Sequence, residues 1–271
     1  GGSGENILRG EAGNDTLTIG QNATDHAYGG AGDDTFVIDD KGSGIIDGGT
    51  GNDRILVTSF SDISDYEIYN VEKIELDAVA QLYLSPEQAA AISIIENETI
   101  VSSEVWLKLS EAGTFTLTDS LYSLSNNVAG SDGVDTIIGS IGNDILAGNG
   151  GLDSIEARDG DDTIVISSED WDQTDRHRLV YEDALGNNLY GSRLLELDKI
   201  DGGGGTDTLE FRYDQEGNDA SFIYLDNSIQ NIERYALTGM TSSYPNVTKL
   251  IFDADVWRNL DSVSLQSGES P

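Results

Sequence analysis

Residues 130–165 read GSDGVDTIIGSIGNDILAGNGGLDSIEARDGDDTIV and divide into the nine-residue units GSDGVDTII, GSIGNDILA, GNGGLDSIE and ARDGDDTIV. Each unit has Gly at its fourth position, Asp at its sixth and an aliphatic residue at its eighth. The same unit recurs at residues 1–18, 29–37, 48–56 and 202–210. Repetition at a fixed short period indicates a solenoid, in which every repeat contributes the same structural element.

Each unit has two physically different parts. Its first six residues are rich in glycine, which allows tight turns, and its last three alternate polar, aliphatic and polar residues, as in a short strand. Two units would form one rung of strand, turn, strand and turn. Stacked rungs would bury ladders of aliphatic and aromatic side chains, which are Leu17, Phe36 and Ile55 in the first array and Ile137, Leu146, Ile155 and Ile164 in the second.

Such a thin core is too small to stabilise the fold alone. Burying one Leu or Ile contributes about 1.5–3 kcal/mol, whereas ordering a nine-residue unit costs on the order of 10 kcal/mol. Glycine-rich turns expose backbone carbonyls, and the aspartate adds a carboxylate beside them. An all-oxygen cage of this kind suits Ca²⁺, whereas Mg²⁺ retains its waters. A chain with no Cys and 2 His is a poor zinc ligand.

The repeat resembles that of the RTX family, GGxGxDxUx with U aliphatic. The resemblance implies an all-β fold, a right-handed parallel β-roll or β-helix with several Ca²⁺ ions in its turns and short helices between the arrays. In the alternative interpretation, the aspartates only cap the turns. The looser pattern NVEKIELDAVAQLYLSPEQAAAI (70–92) is similar to segments of large RTX adhesins.

The predicted metal ligands are the carboxylates at the sixth position and backbone carbonyls of the turns. The carboxylates are Asp15, Asp34, Asp53, Asp135, Asp144, Asp153, Asp162 and Asp207. The carbonyls are those of Gly13, Gly29, Gly30, Gly32, Gly48, Gly49, Gly51, Gly133, Gly139, Gly142, Gly148, Gly151 and Gly160.

Ligands should come from units two apart, because these lie on the same side of the roll. In the second array this pairs Asp135 with Asp153 and Asp144 with Asp162, so both edges are expected to bind metal. Asp207 stands in an isolated unit and is expected to pair with the turn around Asp162.

The first array is uneven. Asp15, Asp34 and Asp53 share one edge, whereas the intervening segments lack the motif and residue 6 is Asn. Calcium is therefore expected along one edge, with the other closed by side chains such as Asp25 or Asp39.

The sequence also indicates a larger duplication. The first half contains GDDTFVIDD…IIDGGTGNDRILV…YNVEKIELD, and the second half contains the corresponding series GDDTIVISS…KIDGGGGTDTLEF…QNIERYALT. We expect a first array at 1–56, β segments at 57–127 with a helix near 85–93, a second array at 128–165, an insert at 166–201 and a final turn and β segment at 202–271. A helix is expected near 254–260. The whole is either one elongated domain or two duplicated halves.

The insert concentrates basic and aromatic residues in an acidic chain. Trp171, Arg176, Arg178 and Tyr181 could bind a glycan or peptide, since Arg binds carboxylates and aromatic rings stack on sugars. In the alternative, these residues pair with neighbouring acids in a surface hairpin.

Composition limits the function. The formal net charge of −36 disfavours binding to nucleic acid, and no apolar run reaches membrane-spanning length. No catalytic motif is present, so we expect no enzyme activity. The resemblance implies a bacterial module that is exported through type I secretion and is then secreted or bound to the cell surface. We expect it to be a monomer with a structural or adhesive role. The alternatives are the folding module of a secreted enzyme and a glycan- or peptide-binding domain.

Overall fold

The structure is a computed structural model. It describes residues 4–20, 24–59, 61–77, 81–91, 95–96, 106–117, 126–151, 153–166, 179–182, 188–193, 199–212, 222–225, 228–238, 249–252 and 262–263. The chain divides into two compact units, Gly1–Ala129 and Gly130–Pro271. The second unit begins close to the predicted start of the second array.

The first unit contains short strands and one short helix. The elements are β1 (Asn6–Ala12), β2 (Thr16–Thr18), β3 (Thr24–Ala31), β4 (Thr35–Ile38), β5 (Ser43–Thr50), β6 (Arg54–Val57), β7 (Ser61–Asp62), β8 (Tyr66–Tyr69), β9 (Lys73–Leu76), β10 (Gln81–Leu84), α1 (Pro86–Ala91), β11 (Ile95–Glu96), β12 (Trp106–Leu109), β13 (Thr114–Thr116) and β14 (Asn126–Ala129). The strands form parallel sheets in the orders β1-β3-β5-β8, β2-β4-β6-β9-β11 and β7-β10-β12-β14.

The second unit repeats this plan. Its elements are β15 (Thr136–Ile138), β16 (Asp144–Ala147), β17 (Ser154–Glu156), β18 (Thr163–Ile166), β19 (Leu179–Glu182), β20 (Asn188–Arg193), β21 (Lys199–Asp201), β22 (Thr208–Arg212), β23 (Phe222–Leu225), β24 (Ile229–Gln230), β25 (Arg234–Thr238), β26 (Lys249–Phe252) and β27 (Ser262–Val263). Parallel pairing gives the orders β15-β17-β21-β24, β16-β18-β22-β25-β27 and β20-β23-β26, and β19 pairs antiparallel with β20. Each unit is thus a parallel β-solenoid, consistent with the predicted right-handed β-roll.

One ladder of inward side chains in the core of the first unit runs along β2, β4, β6 and β9. Leu17, Phe36, Ile55 and Ile74 are successive partners in the parallel register of β2, β4, β6 and β9. Phe36, Ile55 and Ile74 are fully buried. The predicted aliphatic ladder is confirmed, and Ile74 extends it beyond the nonapeptide repeats.

The second unit has two such ladders. Ile137, Ile155, Ile200 and Ile229 are in register along one sheet. Leu146, Ile164, Leu209 and Tyr235 are in register along the other. All these side chains are buried. The four predicted core residues of this array are confirmed.

Along one edge of the first unit, the strands are longer than the predicted three residues. β3 and β5 each span 8 residues and continue through the glycine-rich turn. Backbone pairing persists there because the rungs approach closely: Gly13 N–H donates to Ala31 O at 2.7 Å, and Gly32 N–H to Thr50 O at 2.9 Å. Gly32 has φ +125°, and a Cβ at this position would clash with the Gly13 carbonyl. A glycine is therefore required there.

The segment after the first array continues the solenoid as further rungs. The helix α1 falls within the predicted range and begins with a capping box, in which Ser85 N–H donates to Gln88 Oε1 and Gln88 N–H to Ser85 Oγ. Gln88 Nε2 also donates to the carbonyls of Ile63 and Tyr66, both at 2.8 Å. The capping residue therefore ties the helix to the rung beneath it. The second predicted helix, near 254–260, lies outside the described residues.

Candidate metal centre

An aspartate ladder connects successive turns of the first array. Asp15 N–H donates to Asp34 Oδ1 at 2.8 Å, and Asp34 N–H donates to Asp53 Oδ1 at 2.7 Å. Each bond spans 19 residues, which is one rung. Asp53 N–H continues the series by donating to Glu72 Oε2 at 2.7 Å. Each carboxylate therefore accepts from the backbone of the preceding rung through one of its oxygens.

The second unit contains two aspartate ladders. On one edge, Asp135 N–H donates to Asp153 Oδ1 at 2.8 Å. On the other, Asp144 N–H donates to Asp162 Oδ1 at 2.8 Å, and Asp162 N–H to Asp207 Oδ1 at 2.9 Å. The predicted pairs are thus adjacent, including Asp207 with the turn around Asp162. Asp207 N–H completes the series by donating to Glu233 Oε2 at 2.8 Å.

These carboxylates are removed from solvent, which is unusual for a charged group. Asp34, Asp53, Asp162 and Asp207 are all at most 1% exposed. Burial raises the pKa of Asp162 to about 7 and that of Asp207 to about 6, with neighbouring carboxylates adding to the rise. Burial also raises the pKa of Asp53, followed by repulsion from Asp34 and Glu72. An ionised carboxylate in these turns needs a positive partner.

The second oxygen of several of these carboxylates has no hydrogen-bond partner in the protein. The buried atoms without a partner include the Oδ2 atoms of Asp15, Asp34, Asp53, Asp162 and Asp207. Leaving an anionic oxygen buried and unpaired is costly, so a cation at these positions would offset a large penalty.

The unpartnered oxygens face backbone carbonyls of the next rung. A Cβ built on Gly10 would lie 2.7 Å from both Asp15 Oδ2 and Gly29 O. A Cβ on Gly29 would clash with Asp34 Oδ2 and lie 2.6 Å from Gly48 O. Carboxylate and carbonyl oxygens therefore converge beside the first glycine of each unit, and this oxygen-only donor set is the one that Ca²⁺ prefers.

Backbone carbonyls are essential to such a site. Among the described residues, no three His, Asp or Glu side chains are grouped so that they could bind one metal ion. A cation at these turns would have one or two carboxylates and would take its remaining oxygens from the main chain, as the sequence predicts.

Two predicted ligands differ, because serine residues satisfy their carboxylates. Ser131 N–H and Oγ–H donate to Asp135 Oδ2 at 2.7 and 2.9 Å. Ser140 N–H and Oγ–H donate to Asp144 Oδ2 at 2.6 and 3.1 Å. The turns of Asp135 and Asp144 therefore have protein donors to Oδ2, whereas this oxygen has no hydrogen-bond partner in Asp15, Asp34, Asp53, Asp162 and Asp207.

The first carbonyl of each of these two units also accepts a hydrogen bond. Asn149 Nδ2 donates to Gly130 O at 2.6 Å, and Arg158 Nη1 donates to Gly139 O at 3.3 Å. A guanidinium beside the Gly139 carbonyl repels a second cation. A cation at these turns would compete with the serine donors, although Gly148 O faces the Asp135 carboxylate and Ala157 O faces that of Asp144.

Asp25 is the corresponding residue on the other edge of the first array. It is fully buried and accepts from Asn6 N–H at 3.0 Å, Asn6 Nδ2 at 2.8 Å and Gly20 N–H at 2.8 Å. Asp25 thus closes this edge with hydrogen bonds, whereas Asp39 is exposed. Asn6 explains the difference, since its amide donates to Asp25 where an aspartate could not.

A second, outer ladder was not predicted. It uses the fifth residue of the unit and runs in the opposite sense: Asp33 N–H donates to Asn14 Oδ1, and Asn52 N–H to Asp33 Oδ1, both at 2.9 Å. In the second unit, Asp161 N–H donates to Asn143 Oδ1, and Thr206 N–H to Asp161 Oδ1, also at 2.9 Å. The frequent Asn or Asp at the fifth position was the available signal.

The predicted glycine carbonyls fall into two groups. Those of Gly29, Gly48 and Gly148 face the carboxylate of the preceding rung. The fourth-position glycines instead stack on one another, so that a Cβ on Gly51, Gly151 or Gly160 would meet the carbonyl of Gly32, Gly133 or Gly142, respectively. Gly49 stacks in the same way on Gly30. Gly139 accepts from Arg158, as described above.

The candidate ligand-binding residues of the insert are not brought together by the described part of the chain. Trp171, Arg176 and Arg178 lie outside the described residues, and Tyr181 belongs to β19, whose backbone alone is described. β19 and β20 pair antiparallel, whereas the side-chain pairing with neighbouring acids, which the alternative interpretation requires, lies outside the described residues. The glycan or peptide site stays a prediction.

Comparison with known families agrees with the geometry of the turns. The family model of the RTX calcium-binding nonapeptide repeat, which spans four copies of the repeat, matches the chain in four segments, residues 1–36, 40–63, 129–164 and 198–211. These ranges contain every predicted carboxylate ligand. They end before the glutamates at which the two longer ladders terminate. No curated protein matches the chain.

Proposed function

We propose that this chain, an RTX calcium-binding repeat protein, is an extracellular module that folds when Ca²⁺ binds after secretion. Calcium would occupy the turns of Asp15, Asp34, Asp53, Asp162 and Asp207. The module would serve a structural or adhesive role in a bacterial surface or secreted protein.

The observation that carries this proposal is the set of buried carboxylate oxygens without a hydrogen-bond partner. The thin inward ladders contribute too little to offset several buried, unpaired anions. When a divalent cation binds, the buried carboxylates stabilise the fold instead of destabilising it, because each of them then ligates a positive charge. Calcium binding and folding are therefore linked by mass action.

The charge of the chain supports folding outside the cell. With 50 acidic and 14 basic residues, the calcium-free chain repels itself. Low calcium in the cytosol would keep it unfolded for export through a type I system, and the higher calcium outside would neutralise the turns. None of the helices in the described part of the chain has the length and apolar character needed to cross a bilayer.

We further propose that the module is monomeric and has no catalytic activity of its own. Its patterned carboxylates are accounted for by the turns, and sequence motifs of nucleophilic or zinc-dependent catalysis are absent. The role of folding module for a secreted enzyme and that of glycan- or peptide-binding domain have no specific support from the described residues.

Isothermal titration calorimetry of the chain, freed of metal by chelator, tests the proposal. We expect saturable heat with Ca²⁺ and a much weaker response to Mg²⁺, because Mg²⁺ loses its waters reluctantly. Equal binding of both ions, or none of either at millimolar concentration, would refute a calcium-specific module.

A further inference from the structure

The ladders of the first array and of the Asp162–Asp207 edge end in the same way, outside the nonapeptide repeats. Asp53 N–H donates to Glu72 Oε2, and Asp207 N–H donates to Glu233 Oε2. The backbone then returns the contact, because Glu72 N–H donates to Asp53 O at 3.1 Å and Glu233 N–H to Asp207 O at 3.2 Å. A glutamate thus stands where the next repeat would have placed an aspartate.

An asparagine two residues before each glutamate adopts the same unusual conformation. Asn70 has φ 51° and Asn231 has φ 52°, in the left-handed region where Asn is enriched. Their side chains make matching bonds, since Asn70 Nδ2 donates to Asp47 Oδ1 at 2.8 Å and Asn231 Nδ2 to Asp201 Oδ1 at 2.6 Å. These aspartates precede the double glycine of the last turn, so the asparagine is fixed against it.

This conformation directs the asparagine carbonyl toward the last aspartate. A Cβ built on Gly48 would clash with Asn70 O and lie 2.6 Å from Asp53 Oδ2. In the second unit, a Cβ on Gly202 would clash with Asn231 O and lie 2.7 Å from Asp207 Oδ2. One rung earlier, beside Gly29 and Asp34, the corresponding oxygen is the Gly48 carbonyl.

We propose that Asn70 and Glu72, and likewise Asn231 and Glu233, complete the last divalent-cation site of their ladders. The asparagine carbonyl is a ligand together with the aspartate Oδ2, and the glutamate is a positioning residue that holds the aspartate backbone and adds negative charge. This inference rests on the proposed calcium function.

The local charges support a cation in this position. Asp53 and Asp207 are at most 1% exposed, and their Oδ2 atoms have no hydrogen-bond partner. The basic side chains beside the first of these turns pair elsewhere: Arg54 Nη1 lies 2.9 Å from Glu75 Oε2, and Lys73 Nζ lies 3.7 Å from it. The carboxylate of Asp53 and the nearby Glu72 are thus left for an external cation.

Counting calcium ions per chain by native mass spectrometry tests the proposal on the intact chain. Asn70→Val disfavours the left-handed conformation and displaces the carbonyl, so the variant should bind one ion fewer than the parent chain. Asn70→Gly keeps that conformation and the carbonyl, and it should bind the same number. An unchanged count in Asn70→Val would overturn the inference.

If Asn70→Val does not fold, the variant Glu72→Gln provides a second test of the proposal. The amide can still accept from Asp53 N–H, but the charge is lost, and we expect about tenfold weaker affinity for one ion, as for other supporting residues of metal sites. Glu87→Gln, on an exposed position of α1, is the matched control and should not change it. Equal affinities in the two variants would overturn the inference, whereas a parent chain that binds no calcium would refute the proposed function itself. Asn231→Val and Glu233→Gln repeat the test in the second unit.

Discussion

The backbone N–H of Asp34 donates a 2.7 Å hydrogen bond to the carboxylate of Asp53, one rung further along the first array. The bond occupies Oδ1 of Asp53 and leaves Oδ2 buried without a partner. One side chain therefore has two roles: it joins consecutive rungs, and it presents an anionic oxygen to the turn.

Removing the anionic oxygen of Asp34 should affect calcium binding more than the fold. Asp34→Asn keeps an oxygen that can accept from Asp15 N–H but replaces the unpartnered oxygen with an amide. We expect a loss of about 1–3 kcal/mol in the calcium-saturated unfolding free energy, measured by urea denaturation, and a higher calcium concentration at the midpoint of calcium-driven folding.

Asp135→Asn is the matched comparison, because Ser131 already satisfies that carboxylate. It should shift the calcium concentration at the folding midpoint clearly less than Asp34→Asn does. If Asp135→Asn weakens calcium binding as strongly as Asp34→Asn does, the distinction between open and serine-closed turns is wrong.

The turn of Asp144 should become a calcium site when its side-chain donors are removed. The double variant Ser140→Gly and Arg158→Gly deletes the hydroxyl on the carboxylate and the guanidinium on the Gly139 carbonyl. The backbone N–H of residue 140 still donates to Asp144 Oδ2, but a carboxylate oxygen has a second lone pair for a cation, and we expect one additional bound ion. Calorimetry gives the count, and an unchanged count would contradict the assignment.

The calcium-free chain should become less stable as the pH rises from about 4 to about 7. Burial raises the pKa of Asp162 to about 7 and of Asp207 to about 6 from an ordinary value of 3.8. The folded state therefore binds more protons than the unfolded state in this window, and stability falls with increasing pH. Calcium should reverse the trend, because it binds only the ionised carboxylates.

The β-structure signal of circular dichroism in chelator at several pH values measures this dependence, because the folded fraction of the calcium-free chain should fall toward pH 7. The double variant Asp162→Asn and Asp207→Asn should flatten the profile, since both titrating groups are removed. A chain that gains stability toward pH 7 in chelator would show that these carboxylates are stabilised as anions without metal.

Because the turns pack closely, alanine substitutions at equivalent glycines should destabilise the fold by different amounts. Gly13 and Gly32 both have positive φ, but a Cβ on Gly13 meets nothing within 4 Å, whereas one on Gly32 would clash with the Gly13 carbonyl. Both alanine variants are strained, at a cost of more than about 1 kcal/mol, and Gly32→Ala should lose clearly more. Melting temperatures in saturating calcium make the comparison, and equal losses would contradict the close approach of the rungs.

The sequence predicts the fold well because each nonapeptide carries its own structural instructions. Position eight identifies the inward residue of each rung, as Leu17, Phe36 and Ile55 show. The register also follows, since units two apart place Asp144 beside Asp162. The sequence of one short strand would not identify its secondary structure, but the same pattern in every unit does.

The differences between turns were harder to predict because they depend on the contacts of side chains that replace a glycine of the repeat. Ser140 and Arg158 stand at the second position of their units, where the pattern has Gly, and only the structure shows that they donate to the Asp144 carboxylate and the Gly139 carbonyl. The roles of Glu72 and Glu233 depend on pairing across rungs, although the matching Asn-x-Glu after each last turn was visible in the sequence.

A far-ultraviolet circular dichroism titration tests the central claim, that calcium in the aspartate turns drives folding. The chain is prepared in chelator and titrated with Ca²⁺, with Mg²⁺ as a parallel control. We predict a transition from coil to β structure that depends on Ca²⁺ and is absent with Mg²⁺. A complete β signal in chelator that calcium leaves unchanged would contradict the claim, because the buried carboxylates would then be tolerated without a cation.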